Sequence, residues 1–152
     1  MKRLAVLSDT HGLLRPRVLE LVAGADLILH GGDVGDPEIL TRLGTLAPVV
    51  AVRGNVDHGP GVADLPETAE GEVAGRVYRM VHRRQDIEPT WTRDAALIVF
   101  GHSHRPELEW RSGTLLLNPG SVGPPRFSLP ATMAFVTFDG KTMTPELVSV
   151  AG

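Results

Sequence analysis

The sequence predicts an α/β fold in which two packed β-sheets are covered by helices. Three observations carry the prediction. Short apolar runs alternate with helix-period segments as far as Val52, hairpin signals take over after residue 60, and the apolar runs end in small clusters of Asp, His, Asn and Gly. With 152 residues, 42% of them hydrophobic and 22% charged, the chain has the length and composition of one domain spanning 1–152 with a real core, and global disorder is excluded.

Residues 4–7 form a short buried strand, and residues 15–23 a helix with Leu14, Val18, Leu21 and Val22 at helical spacing, Pro16 in its first turn and Gly24 as its stop. A second strand at 27–29 leads to a helix at 37–46, capped by Asp36 and turning Ile39, Leu40 and Leu43 inward. Residues 49–52 make a third strand, and this alternation implies parallel pairing with helices on the sheet faces. Beyond residue 60 the stretch 70–78 is turn-rich and strand-like, 77–82 alternates in character, and 97–100 is another buried strand. Residues 108–110 and 115–117 flank Ser112-Gly113, and 132–138 and 143–150 flank Asp139-Gly140, two hairpin signals.

Composition narrows the chemistry. A net charge of -3 gives no strong attraction to nucleic acid or anionic lipid. The absence of cysteine removes disulfides, thiolate zinc sites and cysteine nucleophiles, so a metal must be held by His, Asp, Glu, Asn or backbone oxygen. The opening apolar run is too short for a signal peptide and no later segment approaches membrane-spanning length, so a cytoplasmic location is expected.

The residues just beyond each apolar run are the most informative. The runs lead into Ser8-Asp9-Thr10-His11, His30-Gly31-Gly32-Asp33, Arg53-Gly54-Asn55-Val56-Asp57, His82, Gly101-His102-Ser103-His104 and Asn118-Pro119-Gly120-Ser121. Sites in open α/β sheets form at the carboxyl ends of strands, so these groups are expected in one crevice. Such oxygen and nitrogen donors suit first-row divalent metals, and their number exceeds the need of one tetrahedral ion, which points to two ions sharing a carboxylate. Each cluster alone has a plainer reading. Asp9 could cap a helix, Gly31-Gly32-Asp33 and Gly54-Asn55-Val56-Asp57 could be turns, and Asn118 to Ser121 a loop; the two histidines after residue 101 are awkward for packing and natural for ligands.

Taken in order, Asp9-x-His11, Gly32-Asp33, Gly54-Asn55-x-Asp57, His82, Gly101-His102-x-His104 and Asn118-Pro119-Gly120-Ser121 resemble the calcineurin-like metallophosphoesterase superfamily, and within it the small bacterial and archaeal phosphodiesterases. The resemblance runs from the first strand to about Arg126. It implies a four-layer αββα sandwich of two mixed sheets flanked by helices and a dinuclear metal centre, with Mn²⁺ as the first expectation and Fe²⁺, Zn²⁺, Ni²⁺ and Co²⁺ as alternatives. It also implies that Asp9, His11 and His104 hold one ion, that Asn55, His82 and His102 hold the other, and that Asp33 bridges them. A hydroxide shared by the metals would attack phosphorus in a small phosphodiester, with Asn55 helping to stabilise the equatorial oxygens.

Two positions depart from the family pattern. Val56 stands where many members carry a histidine that protonates the leaving group; His58, two residues on, is the candidate substitute, against the reading of an exposed loop histidine, and Asp57 keeps its place in the motif. Arg83-Arg84 come after His82 where glycine is usual. His30 is read as packing or as support for the ligands, Arg53 and Arg126 as candidates to grip phosphate, and Trp91 and Trp110 as core or interface residues. The leading function is a metal-dependent phosphodiesterase. Its alternatives are a protein-interaction scaffold, as in a retromer subunit that resembles the family in fold, and a nuclease, whose basic surface is not visible here. A homodimer through exposed sheet edges is a further expectation.

Overall fold

The computed structural model describes residues 1–126 and 128–150. Strand β1 (Lys2–Leu7) contains the first apolar run, and β2 (Leu27–His30) and β3 (Val49–Ala51) join it in parallel. Helices α1 (Pro16–Val22) and α2 (Pro37–Gly44) connect them. The start of α2 is as the sequence predicts: Pro37 opens it and the Asp36 carboxylate accepts the Glu38 N–H at 2.9 Å. No side chain caps α1. Arg15, at its N-cap, sends its guanidinium to the carbonyls of Val122 and Gly123, 3.0 Å from each, and so pins a loop distant in the chain.

The chain continues through β4 (Thr68–Val73), β5 (Arg76–Val81), two 3₁₀ turns (Arg84–Asp86 and Pro89–Arg93), β6 (Ala95–Val99), β7 (Glu107–Arg111), β8 (Thr114–Asn118), β9 (Thr132–Asp139) and β10 (Thr142–Ser149). The strands form two mixed five-stranded sheets, ordered β10-β9-β1-β2-β3 and β4-β5-β6-β8-β7. In the first, β1, β2 and β3 are parallel; in the second, β5, β6 and β8 are parallel. The remaining strands pair antiparallel. The turn-rich stretch 70–78 is a hairpin whose corner residues Ala74 and Gly75 have φ of 53° and 77°, as a two-residue primed turn requires. Ser112-Gly113 repeats the device, whereas the last hairpin turns one residue later than expected: Asp139 pairs with Thr142, leaving Gly140-Lys141 as the loop.

Alternation along the strands builds two apolar layers. Ala5, Leu7 and Ile28 pack on Val18, Val22, Ile39 and Leu43 of the helices, while Leu4, Val6 and Leu29 meet Met80, Leu97, Val99 and Leu115 of the opposite sheet. Each valine, leucine, isoleucine or methionine among them contributes about 1.5–3 kcal/mol by leaving water. Both helices thus lie on the first sheet. The outer face of the second, with Val81, Ile98, Phe100 and Leu116, is covered by Trp91 and Ile87 from the 3₁₀ segment, which forms the fourth layer. Trp91 is core, as read from the sequence, and Trp110 is exposed on β7. No helix among the described residues is long and apolar enough to cross a membrane.

The register carries β1, β2 and β3 to a common end, where His30 closes a buried hydrogen-bond chain. Gly32 N–H donates to His30 Nδ1 at 3.1 Å, which leaves Nε2–H to donate to Thr10 Oγ1 at 3.1 Å, and Thr10 in turn donates to the Val34 carbonyl at 2.8 Å. Burial pushes the His30 pKa down from 6.5 to about 4, so the native ring stays neutral. Between those values the unfolded chain takes up the proton and the native chain does not. The stabilisation from His30 is therefore full above the unfolded value and is lost as pH falls through it toward about 4, a total of about 3 kcal/mol. His30→Asn keeps an acceptor for Gly32 but abolishes this titration. Urea unfolding of metal-free protein should show the variant about 2–3 kcal/mol less stable near neutrality, with the gap closing by about pH 4.5; parallel pH profiles would contradict this account.

Candidate metal centre

Six parallel strands in two sheets deliver the polar clusters to one edge. Asp9 and His11 lie beyond β1, Asp33 beyond β2, Asn55 beyond β3, His82 beyond β5, and His102 and His104 beyond β6. β8 ends in Asn118, whose amide clamps the loop after β6 by donating to the Gly101 carbonyl and to Ser103 Oγ, 3.1 Å from each. The chain must turn sharply after each strand, and the backbone shows it. Asp9, His11, Asp33, His102 and His104 all have positive φ, from 47° to 73°. Asp and His tolerate the left-handed region better than most side chains, but such a concentration is strain held in place by the surrounding packing.

The side chains form two abutting groups, Asp9-His11-His104 and Asp33-His82-His102. In the first, Asp9 Oδ1 lies 3.5 Å from His11 Nε2 and 3.4 Å from His104 Nε2, and the two imidazole nitrogens are 3.2 Å apart. In the second, His82 Nε2 is 3.1 Å from Asp33 Oδ2 and 3.1 Å from Asn55 Oδ1, which is also 3.0 Å from His102 Nδ1. Asp33 Oδ2 touches both groups, since it also stands 3.5 Å from His11 Nε2. All seven residues expected as ligands are thereby brought together.

The outer atoms of Asp9, Asp33 and His82 are already engaged. Asp9 Oδ2 accepts from Ser8 Oγ at 2.7 Å and from the His102 N–H at 3.1 Å, which aims Oδ1 inward, where it is buried without a hydrogen-bond partner. Asp33 Oδ1 accepts the Val56 N–H at 3.0 Å and leaves Oδ2 inward. His82 Nδ1 donates to the Gly31 carbonyl at 2.7 Å, so a neutral ring turns the Nε2 lone pair toward Asn55 Oδ1 and Asp33 Oδ2, which are acceptors as well. Converging lone pairs with no donor among them need a positive charge. Two donor atoms about 2.1 Å from one cation stand roughly 3.0 Å apart at octahedral and roughly 3.4 Å apart at tetrahedral angles, close to the separations here. The donor set, the orphaned Asp9 oxygen and the spacing all fit a pair of divalent ions.

The titration behaviour has the same origin. Burial alone would raise the Asp9 pKa, but the close rings of His104 and His11, the charge on His82 and the Ser8 hydroxyl hold it well below the ordinary carboxylate range. Asp33 is lowered too, with burial outweighed by its contact with His82 and by the Val56 N–H. His82 shifts upward because the Asp33 contact, the Asp9 charge and the Gly31 carbonyl outweigh its burial. In the protein without metal these contacts favour the protonated, positively charged form of His82.

The structure separates the other expected residues from this cluster. Asp57 is buried and its carboxylate accepts three backbone N–H groups, from Val34, Gly35 and Gly54, tying the loops after β2 and β3 together. His58 is exposed on the loop. Arg53 pairs with Glu67 and donates to the Ala63 carbonyl, whereas Arg126 lies with His104 and Ser121 along a small recess and has no ion-pair partner among the described residues. Sequence reading gave no role to Ser8, quoted only as the first residue beyond the first strand, and none to the need for glycine at 54 and 101. A Cβ at Gly54 would run into Asp33 and one at Gly101 into Ser8 and Asp9, so both positions let the ligand loops approach.

The chain is similar to several known proteins. A probable metallophosphoesterase of Methanothermobacter thermautotrophicus is 32% identical over 95% of this chain and 91% of its own length. The phosphodiesterase YfcE of Escherichia coli K12 is 31% identical, covering 91% of this chain and 89% of its own. The solved structure of an archaeal phosphodiesterase superposes with a TM-score of 0.79 at 18% identity, covering 96% of this chain and 99% of that one, which speaks to the fold alone. Residues 1–141 match the calcineurin-like phosphoesterase superfamily domain, and the chain belongs to that family.

Proposed function

We propose that the protein is a metal-dependent phosphodiesterase in which Asp9, His11 and His104 hold one divalent ion, Asn55, His82 and His102 hold a second, and Asp33 lies between the two. The observation that carries this reading is the shared position of Asp33 Oδ2, within 3.5 Å of His11 and 3.1 Å of His82. The resemblance to YfcE, a phosphodiesterase, supports the substrate class. Two bound divalent cations supply an acidified water as nucleophile and positive charge against the oxygens on phosphorus, with Mn²⁺ the first choice for this oxygen-and-imidazole set.

The chain itself positions the substrate. Asn55 turns Oδ1 toward the two histidines, and no hydrogen bond engages its Nδ2 among the described residues, so that N–H can donate to a non-bridging phosphate oxygen. Arg126, exposed in the recess that His104 also lines, is the candidate to pair with the phosphate from outside, supported by its lack of an ion-pair partner among the described residues. Asp57 acts through the loops it ties and keeps Asn55 in register. Val56 has no acidic proton to give, and His58, exposed on the same loop, is the one histidine there that a leaving-group test must probe.

Hydrolysis of bis(nitrophenyl) phosphate should depend on added Mn²⁺ and vanish with chelator. Asp33→Ala and His102→Ala should each lower kcat by about a thousandfold or more while the far-ultraviolet circular dichroism is retained; near wild-type turnover in Asp33→Ala would remove the shared-carboxylate assignment. Gly54→Ala, which forces Asp33 to move, should weaken Mn²⁺ binding measured by calorimetry by about 10–100-fold. Leaving groups test the proton donor. Against an aryl diester His58→Gln should stay within about twofold of wild type, and against an alkyl ester it should fall by about tenfold or more. Equal losses on both substrates would exclude His58 as the donor.

A further inference from the structure

A cavity of about 780 Å³ adjoins the second ligand group and extends away from it, between the end of β3 and the 3₁₀ turns after β5. Asn55 and His82 form its inner wall, so whatever is esterified to a phosphate held there has this space beside it. The outer walls carry charge that is already matched. Arg53 pairs with Glu67, and Arg83, which stands where the family pattern has glycine, pairs with Asp86 at 3.1 Å. Glu88 completes the lining and has no ion-pair partner among the described residues. Both guanidinium groups are occupied by carboxylates, so the outer wall, away from His82 and the other candidate ligands, holds one uncompensated negative charge, that of Glu88.

We propose that this cavity is the subsite for an alcohol arm of the phosphodiester and that it selects cationic or uncharged arms over arms bearing an added anion. The inference rests on the phosphodiesterase reading and adds the arm's charge to it. An anionic arm would have to take Asp86 or Glu67 off its arginine or lie beside Glu88. At this partly solvated surface the resulting repulsion corresponds to a discrimination of about three- to tenfold, screened further by salt. An uncharged arm meets the Thr68 and Gln85 side chains, which can both donate and accept, and the apolar edges of Val81, Ile87 and Pro89.

The test compares nitrophenyl phosphodiesters whose second arm is choline, its uncharged tert-butyl isostere, or sulfoethyl, at low ionic strength with Mn²⁺. The expected order of kcat/KM is choline, then the isostere, then sulfoethyl, with about tenfold or more between the ends. Glu88→Lys should invert that order, because the charge it changes lies in the cavity. Equal values for the three esters, or an order that Glu88→Lys leaves in place, would overturn the proposal. A second readout needs no turnover: in metal-free protein, choline should shift the amide resonances of Thr68 and Gln85 at concentrations where isethionate does not. If no diester is hydrolysed but this difference in shifts is seen, the phosphodiesterase reading fails and the subsite stands. If the diesters are hydrolysed without charge preference, the subsite fails and the phosphodiesterase reading stands. Absence of both hydrolysis and selective shifts removes both.

Discussion

Two buried carboxylates and four imidazoles face one another with carboxylate oxygens and ring nitrogens inward, and nearly everything else at this end of the molecule exists to keep them there. Such an arrangement is unfavourable by itself, since buried acceptors without donors keep the full cost of leaving water. It persists because the outer atoms of both carboxylates and of His82 are held. Ser8 and the His102 N–H fix Asp9, the Val56 N–H fixes Asp33, and the Gly31 carbonyl fixes His82. The inward atoms are left with one remedy, a positive charge, which explains both the low proton affinity of the aspartates and the high one of His82.

The backbone absorbs the cost of this convergence. Five of the candidate ligands adopt left-handed φ, and the loops that carry them approach so closely that Gly54 and Gly101 have no room for a Cβ. Strain of this kind needs a scaffold that does not yield. Here the scaffold is the double layer of aliphatic side chains on β1 and β2, together with polar clamps from residues that touch no metal: His30 with Thr10, Asp57 with three N–H groups, Asn118 with Gly101, and Arg15 with the loop at Val122. These clamps join loops from different strands, so the centre is rigid as a unit and its members are not independent.

The same division of labour separates chemistry from selectivity. The ligand groups sit at the ends of the parallel strands, whereas the adjoining cavity is walled by the loop after β3 and by the segment beyond β5, where the chain departs from the family pattern at Arg83. A fold that fixes the reacting centre on strands and leaves its surroundings to loops can change substrates without disturbing the metal ligands.

The identity and order of the candidate ligands were legible in the sequence, because apolar runs that end in Asp, His or Asn can be read locally and parallel strands must point those ends the same way. The cap at Asp36 and the hairpin at Ser112-Gly113 were legible for the same reason: their signals lie within a few residues. Other features depend on partners far away in the chain. Asp57 sits in a ligand-like motif, yet its carboxylate faces backbone N–H groups of the loop after β2; Arg15 reads as a helix-start residue, yet it clamps Val122; and the second sheet takes its cover from 3₁₀ turns that have no strong periodicity. Sequence by itself determined which side chains can bind metal and on which strand each resides. Which oxygen of Asp33 meets both groups, and how closely, only the tertiary structure decided, because that contact depends on how the two sheets stack, and stacking is set by long-range packing that leaves no local periodic signal.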